Sequence, residues 1–255
     1  MELSSAVWII GGTLCGAAAL FILALGAFVS VRDRAILRQQ PTTLHAWAVK
    51  RGWRYLPRED HRLSIIDLHQ VVSPPDADDT SIAALCSRPD GAVAEHVISG
   101  HRHGHSLAMF QRRVSLNSGE GSAAPFQRTV RSSYTAVKTP GPTPILVIVY
   151  QAAELVNYDD WQLRTVTTSD AWFDRNFTVL AQSREFAWEV LSPPMRTWLR
   201  EADLATDTCI VVAEGWCFIP SVELLRPTRA ERDLDTVDTF VRRIPYHVWH
   251  LEDGV

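Results

Sequence analysis

Hydrophobic and polar positions divide the chain in two. From Leu3 to Val31 there are 29 consecutive residues without a charged side chain, whereas beyond Arg32 the apolar positions turn periodic and are punctuated by glycine and proline. As a helix, the run Ala6 to Val31 would extend about 39 Å at about 1.5 Å per residue, more than the roughly 30 Å of bilayer hydrocarbon. It predicts a transmembrane helix over Ala6 to Val31, a short external tail over 1–5, a juxtamembrane helical segment over 32–58 and a soluble domain over 59–255. Pro41 separates a helical continuation, Arg32 to Gln40, from a second helix, Thr43 to Arg51, that carries Leu44, Trp47 and Ala48 on one face.

In the domain the period changes to two. Ala92 to Ser99 and Leu107 to Val114 read as strands flanking a Gly100 to Gly104 turn, a hairpin signature. Ser115 to Pro125 reads as a loop, Thr129 to Lys138 alternates as a strand, and Ile145 to Tyr150 is a continuous apolar run, as expected of a central buried strand. Trp172 to Leu180 reads as a further strand. Ser183 caps a helix reaching Leu191, and Ser192 with Pro193 opens another that carries Met195, Trp198 and Leu199. Asp207 to Ala213 and Trp216 to Ile219, joined through Glu214 and Gly215, form a second hairpin. Thr228 and Glu231 have capping-box spacing before a helix with Leu234, Val237, Phe240, Val241 and Ile244 on one face, stopped by Pro245. Strands interleaved with short helices predict an α+β fold: an N-terminal transmembrane helix, then a mixed, largely antiparallel sheet with short helices.

Charge sets a direction. No Lys or Arg precedes the apolar run, while Arg32, Arg34 and Arg38 follow it, so the positive-inside rule places the domain on the cytoplasmic face of the inner membrane. Glu2 at the start and the long apolar run argue against a cleaved signal peptide. Gly12 and Gly16, four apart, offer a close-packing face for weak self-association. Lys50, Arg51, Trp53, Arg54 and Arg58 read in two ways: as a basic aromatic patch on an anionic leaflet, or, as we prefer, as the opening of the domain with its aromatics turned inward. The net charge of -4 gives no basic excess for nucleic acid. Four cysteines, Cys15, Cys86, Cys209 and Cys217, have no metal or disulfide spacing and read as buried thiols of a reducing compartment.

Candidate chemistry is sparse. His101, His103 and His105, with His96 upstream, would share a face on one continuous strand and offer three imidazoles to a metal; in a hairpin turn they would splay apart. No nucleophile elbow or phosphate-cradling glycine loop occurs, and Asp159, Asp160, Asp170 and Asp174 are not spaced for paired acid and base work. No cofactor is implied.

The anchor followed by AVKRGWRY (Ala48 to Tyr55), the hairpin around Ser99 to Gly104, FDRNFTV (Phe173 to Val179), FAWEVLSPPMRTWL (Phe186 to Leu199) and RIPYHVW (Arg243 to Trp249) resembles a family of uncharacterised, single-pass membrane-anchored proteins of high-GC bacteria, a domain of unknown function. The resemblance implies architecture and no catalytic residue. The resulting expectation is a non-enzymatic, membrane-tethered cytoplasmic module whose partners are the lipid bilayer and a protein at the inner face. The alternative is a metal-assisted hydrolase built on the histidine turn, and a third reading is envelope sensing through the apolar helix.

Overall fold

A computed structural model describes residues 37–66, 91–117, 127–150, 163–205 and 208–250. The chain divides into two units, Met1–Thr43 and Leu44–Val255. The Ala6 to Val31 run, with Gly12 and Gly16, lies outside the described residues, as do Asp159 and Asp160. Among the described residues no helix is long and apolar enough to cross a membrane.

Residues 37–50 are helical (α1), so Pro41 does not interrupt the helix as its ring suggested. A proline removes one backbone N–H, and here the helix carries on past that loss. Among the described residues nine strands follow: β1 (Arg54–Arg58), β2 (Val93–Arg102), β3 (His105–Asn117), β4 (Gln127–Lys138), β5 (Leu146–Tyr150), β6 (Arg164–Thr165), β7 (Phe177–Ala181), β8 (Cys209–Ala213) and β9 (Trp216–Ser221). They form one sheet in the order β1-β2-β3-β4-β9-β8-β5-β7-β6. Every pairing is antiparallel, so the α+β reading stands. β1, within the juxtamembrane stretch 32–58, is an edge strand of this sheet.

The described residues of the domain also form α2 (Ala171–Asn176), α3 (Arg184–Val190), α4 (Pro193–Glu201) and α5 (Pro227–Arg243). A 3-10 turn, Asp60–Ile66, follows β1. Alternation sorts the strand residues into two clusters. Ile98, Leu107, Met109, Val137, Ile148, Val179, Ile210 and Val212 pack with Leu44 and Ala48 of α1 and with Phe186, Leu199, Leu234 and Phe240 of the later helices. Ala108, Phe110, Tyr134, Ala136, Val147, Val149, Val211 and Phe218 form a second cluster with Leu63 and Ile65 of the 3-10 turn. An antiparallel sheet commonly leaves one face to water. Burial on both faces explains why β5 (LVIVY) and β8 (CIVVA) are apolar without interruption.

Three local expectations need correction. Trp172 to Leu180 is not one strand: α2 fills Ala171–Asn176 and β7 begins only at Phe177. The Asp170 side chain accepts hydrogen bonds from the Trp172 and Phe173 amides, both at 3.1 Å, and this cap outweighs the strand preference of Trp172 and Phe173. The Phe173 N–H, more than the nearby Arg200, holds the Asp170 carboxyl below the usual carboxylate range. Thr228 does not cap α5, because Arg226 is the cap residue, Pro227 takes the first helical turn, and no side-chain cap bond forms. Ser192 is the cap residue of α4, yet its hydroxyl makes no cap bond either; the fixed φ of Pro193 starts that helix. Ser183 does cap α3, accepting from the Phe186 amide at 3.2 Å.

Both hairpins turn in two residues. His103 (φ 48) with Gly104 (φ 87), and Glu214 (φ 51) with Gly215 (φ 77), have the paired positive φ of type I′ turns. The first turn is thus His103–Gly104 rather than the whole Gly100 to Gly104 stretch, and Gly100 lies within β2.

Candidate functional site

The short turn decides the fate of the histidines. His101 pairs with Ser106 and Arg102 with His105 across the hairpin, so His101 and His105 project from opposite faces of the sheet. Three residues at spacing two would converge only if the strand ran straight through 103. Among the described residues no group of three His, Cys, Asp or Glu is placed to hold a metal ion. His101 is exposed on the second-cluster side, where its Nε2 and the Ser106 hydroxyl share a 3.3 Å hydrogen bond. His103 leans the other way, its Nδ1 2.7 Å from a carboxylate oxygen of Asp238 on α5. His96 sits where the β2 register slips, its Nδ1 bonded to the Tyr55 hydroxyl at 2.9 Å, and burial lowers its pKa.

Asp238 belongs to an acidic stripe. Glu231, Asp235 and Asp238 stand four and then three apart on α5, so they share a face. Glu231 meets Arg51 at 2.5 Å and Arg102 at 3.6 Å, Asp235 also meets Arg102, and Asp238 accepts from Arg242 at 3.0 Å. The stripe clamps the β2–β3 tip and the end of α1 to α5. The Glu231 assigned to a capping box serves here instead. Trp53 and Trp47 meet edge to face at 5.4 Å beneath the Arg51 guanidinium, so these aromatics turn into the domain.

Among the described residues, side chains line two open clefts. One, of about 490 Å³, is lined by Thr167, Thr168, Asp174, Arg184, Trp188 and Arg196 among others. Its charges are engaged within the fold. Asp174 accepts from the Thr168 amide and hydroxyl at 2.9 and 2.8 Å, Arg184 lies 4.2 Å over the Trp188 ring, and Arg196 donates to the Leu191 carbonyl at 2.6 Å. Asp170 and Asp174 thus hold structure together.

The other cleft, of about 460 Å³, is lined by Gly52, Arg54, Arg62, Ser99, Gly100, His101, Ser106, Leu107, Lys138 and Trp216. Strand register assembles it. Arg54 pairs with Ser99, His101 with Ser106 and Lys138 with Trp216, and each lies an even number of residues from a member or neighbour of the second cluster: Leu56, Ala108, Ala136 or Phe218. All six therefore project from that face. At this end of the face, apolar side chains give way to cations and hydroxyls. Arg62 joins from the 3-10 turn, its Nε donating to Glu59 at 3.0 Å. Among the described residues no Asp or Glu lines this cleft. Sequence reasoning reached Arg54 and His101 but missed Arg62, Ser99, Ser106, Lys138 and Trp216. The signal for Lys138 was its place at the end of an alternating strand, one step beyond the core positions.

No family model matches the chain, and neither does any curated protein. Among solved structures, the crystal structure of the mycobacterial trehalose monomycolate transport factor A is similar, with TM-score 0.53 and 13% identity, over 81% of this chain and 96% of that one. At that identity the likeness concerns the fold.

Proposed function

We propose that this chain is a non-enzymatic binding module, tethered by Ala6 to Val31 to the inner membrane with its domain on the cytoplasmic side, and that the basic cleft receives its partner. The observation that carries the reading is the cleft: Arg54, Arg62 and Lys138 share one open wall with no acidic residue among the described residues, and it begins at Gly52, two residues beyond α1. Such a wall attracts a negatively charged group by charge and by guanidinium geometry. The arginines after Val31 support the orientation. The similar solved structure is named a transport factor, which is in keeping with a carrier or scaffold role, as an analogy at the level of fold. On this reading the chain joins the anchored family that its sequence resembles, and Gly12 and Gly16 contribute weak self-association.

The test is made on membranes from cells expressing the full chain. Alkaline carbonate should leave it in the pellet, an alkaline phosphatase fused after Val255 should be inactive, and a partner crosslinked in native membranes should be lost when Arg54 and Lys138 are both changed to Gln. Extraction by carbonate or an active fusion removes the tethered cytoplasmic module. Undiminished crosslinking removes the cleft as its docking site.

A further inference from the structure

We infer that the cleft beside His101 is a binding site for a phosphate ester. The inference rests on the binding-module reading and names the ligand class of its cleft. Two guanidinium groups, Arg54 and Arg62, present planar forks suited to bidentate contact with oxyanions, and Lys138 adds a compact charge. The Ser99 and Ser106 hydroxyls and the His101 ring add hydrogen-bonding groups to the same wall, as phosphate oxygens require. The nearest assigned counter-charge, Glu59, holds Arg62 through Nε and stands outside the lining. A guanidinium held at Nε keeps its terminal nitrogens available, so this contact positions the group without removing it from the site. A volume of about 460 Å³ falls in the range of small-molecule sites, roughly 300–1,000 Å³, and exceeds the needs of a bare inorganic ion. The half-buried Trp216 offers an apolar side for whatever the phosphate is esterified to. The other cleft has comparable volume, yet Asp174 lies in its wall, so it lacks this selectivity for an anion.

The phosphate ester has two sources, a lipid headgroup and a soluble metabolite, and the experiment separates them. The full chain in neutral detergent is titrated with glycerol 3-phosphate, and the full chain in nanodiscs of phosphatidylcholine, with or without phosphatidylglycerol, is followed by tryptophan fluorescence, using Trp216→Phe to assign the signal. Saturation by glycerol 3-phosphate assigns a soluble ester. A response only to phosphatidylglycerol assigns a lipid headgroup. In either case, Arg54→Gln with Lys138→Gln should weaken binding at least tenfold, while Arg164→Gln on β6 leaves it unchanged and circular dichroism shows all variants folded. Neither ligand binding above a matched chloride control, or the double variant binding as tightly as wild type, overturns the inference. If phosphate binding fails while membrane crosslinking remains sensitive to the same double variant, the module reading stands and only the ligand class falls.

Discussion

Gly100 offers the sharpest test of how the cleft is supported. A Cβ built on Gly100 would lie 2.3 Å from Trp53 Cδ1, 2.8 Å from Cγ and 3.0 Å from Nε1, against an ordinary contact of 3.4 Å or more. The ring must therefore retreat by about 1 Å on the first of these distances. It cannot retreat freely, because it meets Trp47 edge-on at 5.4 Å and carries the Arg51 guanidinium 5.5 Å from its centroid. Overpacking of this kind costs about 1–3 kcal/mol. In a domain of this size that corresponds to roughly 3–9 °C in Tm. Gly100→Ala should show that loss in thermal unfolding of the full chain in mild detergent, followed by near-ultraviolet circular dichroism. Trp53→Ala removes the obstacle and destabilises by itself. In that background, Gly100→Ala should be nearly neutral, leaving a coupling free energy of about 1–3 kcal/mol. Additive effects of the two changes would refute the packing argument, since a glycine required for backbone freedom would be costly to replace with or without the ring.

The remaining predictions concern the core and its titratable groups. Burial pushes the Cys217 thiol up, and Cys209 is buried as well, so both should resist iodoacetamide in the folded chain and label in urea; rapid labelling of either under native conditions contradicts the two-sided core. Burial lowers the pKa of His96 from its ordinary 6.5, the opposing charge of Glu95 and the reinforcing charge of Arg131 being smaller influences. The folded state therefore prefers the neutral ring, and its contribution is complete above about pH 6.5 and is lost as pH falls from there toward the lower folded-state value. The wild type should lose more stability across that window than His96→Gln, and equal slopes would show that the ring is not desolvated. Leu234→Ala, at a fully buried position of α5, should cost about 2–5 kcal/mol in urea unfolding, and a loss below 1 kcal/mol would mean that α5 is not packed as described.

What could be read from sequence was whatever repeated. The unbroken Ile145 to Tyr150 run announced a central buried strand, and the apolar stripe of α5 announced its buried face. Where one side chain changed the local outcome, periodicity misled: Asp170 converted an apparent strand into α2, and Pro227 displaced a capping box that looked complete in Thr228 and Glu231. The histidine triplet is divided for a related reason. Its spacing was correct for one straight strand, but positive φ at His103 and Gly104 reverses the chain inside the triplet. A two-residue turn between paired strands sends the residues on its two sides to opposite faces whenever they are four apart.

The same reversal accounts for both the clamp and the cleft. Arg102 and His105 pair at the mouth of the turn and share the helix-side face, where Arg102 finds Glu231 and Asp235, and His103 at the tip reaches Asp238. His101 and Ser106 form the next pair inward and necessarily take the other face, beside Arg54, Ser99 and Lys138. The acids of the stripe are all carried by α5 and lie on the helix side, so the sheet itself separates them from the cations of the cleft. At the turn end of β2 and β3, antiparallel alternation thus sends Arg102 to the acids of α5 and His101 to the cleft. The three acids of that stripe therefore stand across one sheet from Arg54 and Lys138. Moving β2 by a single residue would exchange the two sets, bringing His101 toward the helix stripe and carrying Arg102 into the cleft. The register slip between Glu95 and Ile98 is consequently part of the site, since it sets the parity of every β2 residue from Ile98 to the turn.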